Sequence, residues 1–252
     1  MTTRPRPGRP RHGSDGDGGG SPREEILQAA AGLFVEHGFA GTSTRSIAER
    51  VGIRQASLYY HFAGKDEILV ELLRTSVRPT LDIVRAIESA DPPIPPAAAL
   101  YAVALADVGT LLASPHNVGT LYRLPEVRQE RYDAFHRDHA ELQAAYARLG
   151  ARVAGDDPGA TAGVCRGELL IHLVEVVIEQ RRTRVLTSED AHTIAEACLL
   201  VCRATPATVA AARSWQERSA AAVSGRGEPA LTRPPQPPAV VIESSDDSHP
   251  AL

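Results

Sequence analysis

The chain of 252 residues holds three cysteines, one methionine and a single lysine, Lys65; every other basic residue is arginine. An odd number of cysteines without a CxxC pair argues against a disulfide framework. Aromatic residues make up 4% of the chain, and alanine and leucine dominate its middle, a balance that favours helix over strand. No apolar run approaches the ~20 residues that cross a bilayer. The opening MTTRPRPGRPRHG carries arginine but no apolar segment, unlike a secretory signal. The expectation is a soluble, cytoplasmic protein with no membrane partner. A hydrophobic content of 43% suffices for a real core, and the length suits one domain and a half or two small domains.

A net charge of −4 speaks against nucleic acid only if the sign is uniform, and it is not. Residues 1–75 hold 10 Arg/Lys and 9 Asp/Glu, residues 76–223 hold 15 and 18, and residues 224–252 hold 2 and 4. The four arginines of the first 12 residues precede any acid. Local patches steer binding rather than the total, so a DNA-binding end on an acidic body fits the balance.

Residues 1–21 are rich in Gly, Pro and Arg and are expected to form a disordered arm. The texture then changes. Ser21 suits an N-cap, Pro22 the first helical position and Glu24 the return bond of a capping box. Ile26, Ala29, Ala30, Leu33 and Phe34 follow at helical spacing, and Gly38 supplies a stop. A second start at Thr42-Ser43 precedes a short helix with Ile47, Ala48 and Val51 on one face. Gly52 interrupts it, a third helix runs from about Arg54 to Phe62, and a longer one starts near Gly64, with Pro79 as a possible kink. Two short helices joined by a glycine-containing turn match the helix-turn-helix pattern. The stretch SADPPIPPAAA (89–99) has the composition of a linker. Beyond it, helices are expected near 97–113, 125–154, 160–183 and 188–204, with a weaker Ala-rich one over 207–222. The last residues, 224–252, read as a Pro-rich tail. The fold class is therefore all-α, divided at about residues 22–75 and 76–223.

The densest chemistry lies in VGIRQASLYYHFAGK, Val51 to Lys65. Advancing 100° per residue from Leu58, Phe62 falls on the same inward side, while Ala56, Ser57, Tyr59 and Tyr60 point sideways or away. Small residues let a backbone approach base edges, Gln55 can pair bidentately with adenine, and Tyr hydroxyls and Lys65 can reach phosphate oxygens. Lys65 also lies in the first turn of the next helix, where main-chain amides favour an anion. Ser43, Thr44 and Arg45 open the preceding helix, from which a first helix grips the DNA backbone. Surface cover on a small bundle is the plainer account of the same side chains.

The segment Gly38 to Leu73 resembles the DNA-binding part of TetR/AcrR-type one-component repressors. The resemblance is carried by Gly38-Phe39, Thr42, Ile47-Ala48, Gly52, Leu58-Tyr59-x-His61-Phe62 and Lys65 followed by Asp66-Glu67, and covers about 50 residues with the first helix. It implies an N-terminal three-helix DNA-binding domain, an all-helical effector-binding and dimerisation domain, and a homodimer on a palindromic operator in double-stranded DNA. A small molecule, largely apolar, would release it. By the same resemblance Thr44 and Arg45 match contacts of the first helix, Gln55, Ala56 and Ser57 match base-reading positions, and Tyr59, Tyr60, His61 and Lys65 match contacts to phosphates. Arg54 departs from the pattern, which commonly has a serine N-cap there; arginine cannot accept amide bonds but can bind guanine or a phosphate. In the arm, Gly8-Arg9-Pro10-Arg11 resembles an AT-hook core, which would place Arg9 and Arg11 in a minor groove.

In the body, Tyr132, Phe135, His139, Leu142, Tyr146, Leu149 and Val153 form one stripe at spacings of three and four. His139 within it reads as a core histidine before it reads as a ligand group; Phe135 and Tyr146 share the ambiguity. The helix near 160–183 is the most apolar, with Glu168, His172, Glu175 and Glu179 on one narrow face. It is expected to dimerise with the helix near 188–204, its polar stripe at a solvent or interface edge and His172 a candidate for a pocket. The connector ASPHNVGTLYRLPEVR (113–128) borders the ligand cavity in the resembling family, so His116 and Tyr122 are expected to couple ligand to hinge. No set of residues has the spacing of a catalytic or metal site, so no enzyme, cofactor or metal is expected. Cys198 and Cys202 offer a thiol sensor as an alternative, and a protein-interaction module is another.

Overall fold

The computed structural model describes residues 20–156 and 161–224. The arm, including Arg9 and Arg11, and the tail beyond Ser224 lie outside the described residues. Those described form ten α-helices and three 3-10 turns, with no strand among them.

Four helices build the N-terminal head: α1 (Pro22–Gly41), α2 (Thr44–Val51), α3 (Gln55–His61) and α4 (Lys65–Thr75). Ser21 caps α1 in the expected reciprocal box with Glu24. Gly38 at φ 74° breaks the helical path of α1, and Gly52 at φ 80° ends α2, both in the region that only glycine occupies without cost. Ser43 caps α2, with Ser46 returning the bond. Thr42, expected to share that start signal, is instead buried, its hydroxyl 2.9 Å from Gly38 O and 3.1 Å from Leu33 O. Ile26, Ala30 and Phe34 of α1 meet Ile47, Leu58, Ile68, Leu69 and Leu73 in one core with no water-exposed member.

The break after α4 differs from the expected kink. Ser76 and Val77 separate α4 from α5 (Arg78–Glu88), and Pro79 sits in the first turn of α5, where its missing N–H costs nothing. Since α5 packs on α6 (Pro96–Ala113) and α7 (Asp133–Ala154), the Pro-rich stretch at 89–95 is a loop within the body and not a boundary between units.

Helix α6 is the centre of the body. Its 18 residues have a mean hydropathy of 1.6, so one stretch is, contrary to expectation, long and apolar enough to cross a membrane by length and composition. Packing accounts for that composition: α5, α7, α8 (Thr161–Gln180), α9 (Ser188–Val201) and α10 (Pro206–Ser224) all lie against it. The expected helix 125–154 begins only at Asp133; three 3-10 turns, Val118–Arg123, Pro125–Arg128 and Glu130–Tyr132, precede it. The stripe survives this change, since Tyr132, Phe135, Leu142, Tyr146 and Leu149 are all buried. Pro206 is the first residue of α10, where its missing N–H costs nothing.

Candidate nucleic-acid interface and interior cleft

Helix α3 is held to the head by one buried side chain of its own, Leu58, and by Phe62 at its C-terminal end. The helical phase therefore turns Gln55, Ala56, Ser57, Tyr59 and Tyr60 outward, all exposed, with Tyr60 87% accessible. These side chains are ordered among themselves. Gln55 Nε2 donates to Thr44 Oγ1 at 2.9 Å and lies 3.4 Å from the Tyr59 hydroxyl, which is 3.1 Å from Thr44 Oγ1. The Gln55 amide nitrogen is thus engaged by side chains of the head itself. Tyr60 meets His61 edge to face at 5.3 Å.

Three of the expected contact residues have local duties. Ser43 Oγ accepts the Ser46 N–H as the α2 cap. Arg45 Nε is bound to Glu49 Oε1 at 2.9 Å. Lys65 is held in the same way: its ammonium donates to Phe39 O at 2.8 Å and Thr42 O at 3.0 Å, and lies 4.4 Å above the Phe39 ring. Those carbonyls sit where α1 ends, Phe39 O also accepting the Thr42 N–H at 3.3 Å, and the cation ties them to the first turn of α4. Arg54 occupies the N-cap of α3 without any side-chain capping bond.

A cleft opens where head and body meet, lined by Ser76, Val77, Asp107, Leu111, Tyr122, His139, Leu142, Ile171 and Glu175. It has room for about one water molecule. Asp107 of α6 is fully enclosed and accepts from Thr80 Oγ1 at 3.1 Å and from the Tyr146 hydroxyl at 2.9 Å. His139 Nε2 lies 2.7 Å from Glu175 Oε1. The Tyr122 hydroxyl donates to Ser76 Oγ at 2.8 Å, and Ser76 in turn donates to Leu73 O at the end of α4. One wall of the cleft is therefore the break between α4 and α5.

Of the six residues expected at a ligand, Tyr122 and His139 line this cleft and four do not. Phe135 packs behind both, 5.0 Å and 5.9 Å from their rings, and Tyr146 stands behind Asp107. His172 is exposed on the far side of α8, its Nδ1 2.6 Å from Glu168 O. Within the polar stripe only Glu175 turns to the cleft, while Glu168, His172 and Glu179 face outward. His116 lies against α1 instead. A Cβ on Gly32 would come within 2.9 Å of its ring, so glycine is what lets the connector touch the head there. Burial lowers the pKa of His116. The connector is fixed to the end of α8 by Arg181, which donates to Leu111 O at 2.6 Å and Ser114 O at 2.7 Å, and by Asn117, which donates to Ile178 O at 2.6 Å.

The sequence reading missed Ser76, Val77, Asp107, Leu111 and Ile171. Asp107 had a signal, being the single charged residue in PAAALYAVALADVGTLLA; Ser76 had none.

Burial raises the Asp107 carboxyl to about 6, and its hydrogen bonds from Tyr146 and Thr80 only partly offset this. A raised carboxyl pKa favours the neutral form in the fold. The associated stability is present below the unfolded value near 4 and is lost as pH rises through about 6. Wild type should accordingly lose on the order of 3 kcal/mol relative to Asp107→Asn between pH 4 and 7.5. Paired urea melts across that range check this, and a constant difference between the two proteins would refute the charged-state argument.

Cys198 and Cys202 are both buried and unbridged. Burial raises their thiols to about 12 and about 11, which suppresses the thiolate that redox sensing needs. His136, Asp138 and His139 each face a different partner: Val127 O, Arg78 and Glu175.

Comparison with known proteins agrees with this geometry. Residues 26–72 match the family described as bacterial regulatory proteins, tetR family. Over 54 residues the chain is 50% identical to the HTH-type transcriptional repressor KstR2 of Mycobacterium tuberculosis, a match spanning 21% of this chain and 27% of that protein. The crystal structure of Mycobacterium smegmatis AmtR is similar at 39% identity and a TM-score of 0.71, covering 83% of this chain and 98% of that one. AibR, crystallised with isovaleryl coenzyme A and operator DNA, shares the fold at 17% identity and a TM-score of 0.53. With the likeness to AmtR extending through head and body alike, the chain belongs to the tetR family of bacterial regulatory proteins.

Proposed function

We propose that this protein is a transcriptional repressor that binds a palindromic DNA operator as a homodimer and releases it when a small molecule enters the cleft. The observation that carries the reading is the head itself, a short α3 anchored by Leu58 and Phe62 with its polar side chains turned outward above α2. A helix so placed enters the major groove while α2 meets the backbone. Thr44, Arg45, Gln55, Ala56, Ser57, Tyr59, Tyr60 and His61 supply that surface, and the protein acts in the cytoplasm, beside the chromosome. Dimerisation through α8 and α9 is supported by apolar side chains left open on both: Leu169 is 61% accessible, Leu200 55% and Val201 41%. Two copies joined there present two heads, which a half-site spacing of about 34 Å requires.

Release follows from where the cleft lies. Ser76 belongs both to its wall and to the α4–α5 break, so a ligand that displaces the Tyr122 hydroxyl acts directly on the support of the head. A drug-sized ligand needs about 300–1,000 Å3, far more than the cleft offers, so binding must part α4 from the body. The open surface of the cleft is mostly apolar, from Val77, Leu111, Leu142 and Ile171, while Asp107, Glu175, His139, Tyr122 and Ser76 are bonded to one another or to Thr80 and Tyr146, which supports a largely apolar effector. The direct test is binding to the DNA flanking the protein's own gene against a scrambled duplex, over a range of salt. Preference by about a thousandfold and a steep salt dependence are expected; equal affinity for both duplexes removes the repressor reading.

A further inference from the structure

We infer that Arg54 reads a guanine in each half-site of the operator, and that Gln55, the residue the sequence favours as base reader, positions its neighbours instead. The inference rests on the DNA-binding reading above and deepens it.

The cations of the head are the starting point. Arg23 is paired with Glu71 at 3.1 Å, Arg45 with Glu49 at 2.9 Å, Arg50 with Glu36 at 3.1 Å and Arg74 with Glu71 at 3.6 Å. Lys65 is held by two carbonyls. Arg54 alone among these cations of the head has no carboxylate, carbonyl or ring against its guanidinium, and it is exposed. Its backbone is extended, φ −73° and ψ 144°, so the side chain leaves the helical path that would have turned it toward Leu58. The position is one where serine or aspartate would accept an amide hydrogen and stabilise α3 by about 1 kcal/mol. Arginine gives that up, and nothing within the chain compensates.

Gln55 is in the opposite condition. To pair with adenine it must donate one amide hydrogen to N7 and accept from N6, yet its Nε2 is already engaged by Thr44 Oγ1 at 2.9 Å, with the Tyr59 hydroxyl 3.4 Å away. Left as it is, the amide locks the start of α2 to the middle of α3 and fixes the angle between the two helices. A guanidinium beside that locked pair offers two parallel donors, which match O6 and N7 of guanine and no other base edge in the major groove. Arg45 is a weaker candidate, since it would first have to leave Glu49, although a surface pair of that kind is worth little.

Selection from a pool of randomised duplexes by the full-length protein tests this. Wild type should yield a consensus with guanine at one position per half-site that depends on Arg54. In Arg54→Ala that preference should vanish while the others remain, and in Arg54→Gln it should move toward adenine. Placing 7-deazaguanine at that position should weaken wild type about tenfold or more and leave Arg54→Ala unaffected, a readout that does not depend on how the variants fold. A uniform loss across all duplexes with a shallower salt dependence would mean that Arg54 holds a phosphate, and the inference fails. It fails equally if the consensus is unchanged in Arg54→Ala. Should wild type draw no consensus at all, the DNA-binding reading falls and takes this one with it.

Discussion

Replacing Leu58 with alanine is expected to abolish operator binding and to destabilise the head by about 3 kcal/mol. The reason is the shortness of α3. At seven residues it is well below the roughly 12–15 at which an isolated helix holds together in water, so docking must supply its stability. That docking comes from Leu58, which has no exposed surface, with Phe62 closing the far end. Truncation leaves a cavity among Ile47, Ile68 and their neighbours, whose backbone helices cannot collapse onto it without moving α2. Denaturant melts followed by circular dichroism, with anisotropy of a labelled operator, give both quantities. Undiminished operator affinity in Leu58→Ala would show that α3 is held by something else.

Lys65→Ala should cost about 2 kcal/mol of stability and weaken DNA binding only through that loss. Two carbonyls at the end of α1 lose a charged donor, and the Phe39 ring loses the cation above it. Lys65→Met keeps the apolar stem and should behave in the same way, since the missing element is the donor. The salt dependence of operator binding separates this account from the one suggested by sequence. A slope unchanged from wild type fits a structural lysine; a slope reduced by about one, with an unaltered melt, would identify a phosphate contact.

How far the sequence is legible follows the range of the forces involved. Caps, stops and helical phase depend on neighbours within four residues, and Ser21, Gly38, Gly52 and the inward turn of Leu58 and Phe62 were all readable. The start of α7 was not, because the chain before it is held by the turn Val118–Arg123 packing against α1, α4 and α8, which leaves the periodicity of the stripe intact. Site residues divide in the same manner. The outward set on α3 follows from phase, whereas the partners of Lys65 lie 23 and 26 positions away and no local pattern announces them. His116 stood in a mixed connector and His172 on the polar stripe of an apolar helix, and both were candidates for a ligand. One rests against Gly32 of α1 and the other faces outward from α8, placements set by long-range packing. The lone acid in α6 was a legible anomaly whose meaning required its partners, Thr80 and Tyr146.

Under the release mechanism proposed above, the bond between Tyr122 and Ser76 carries an obligation that runs in both directions. Any free energy by which an occupant of the cleft weakens the hold on DNA must reappear, undiminished, as a penalty that DNA imposes on the occupant. A copy seated on its operator is therefore a poorer receptor than one adrift in the cell. The concentration at which the regulator responds is then set jointly by the chemistry of the cleft and by the number of operators that compete for the protein.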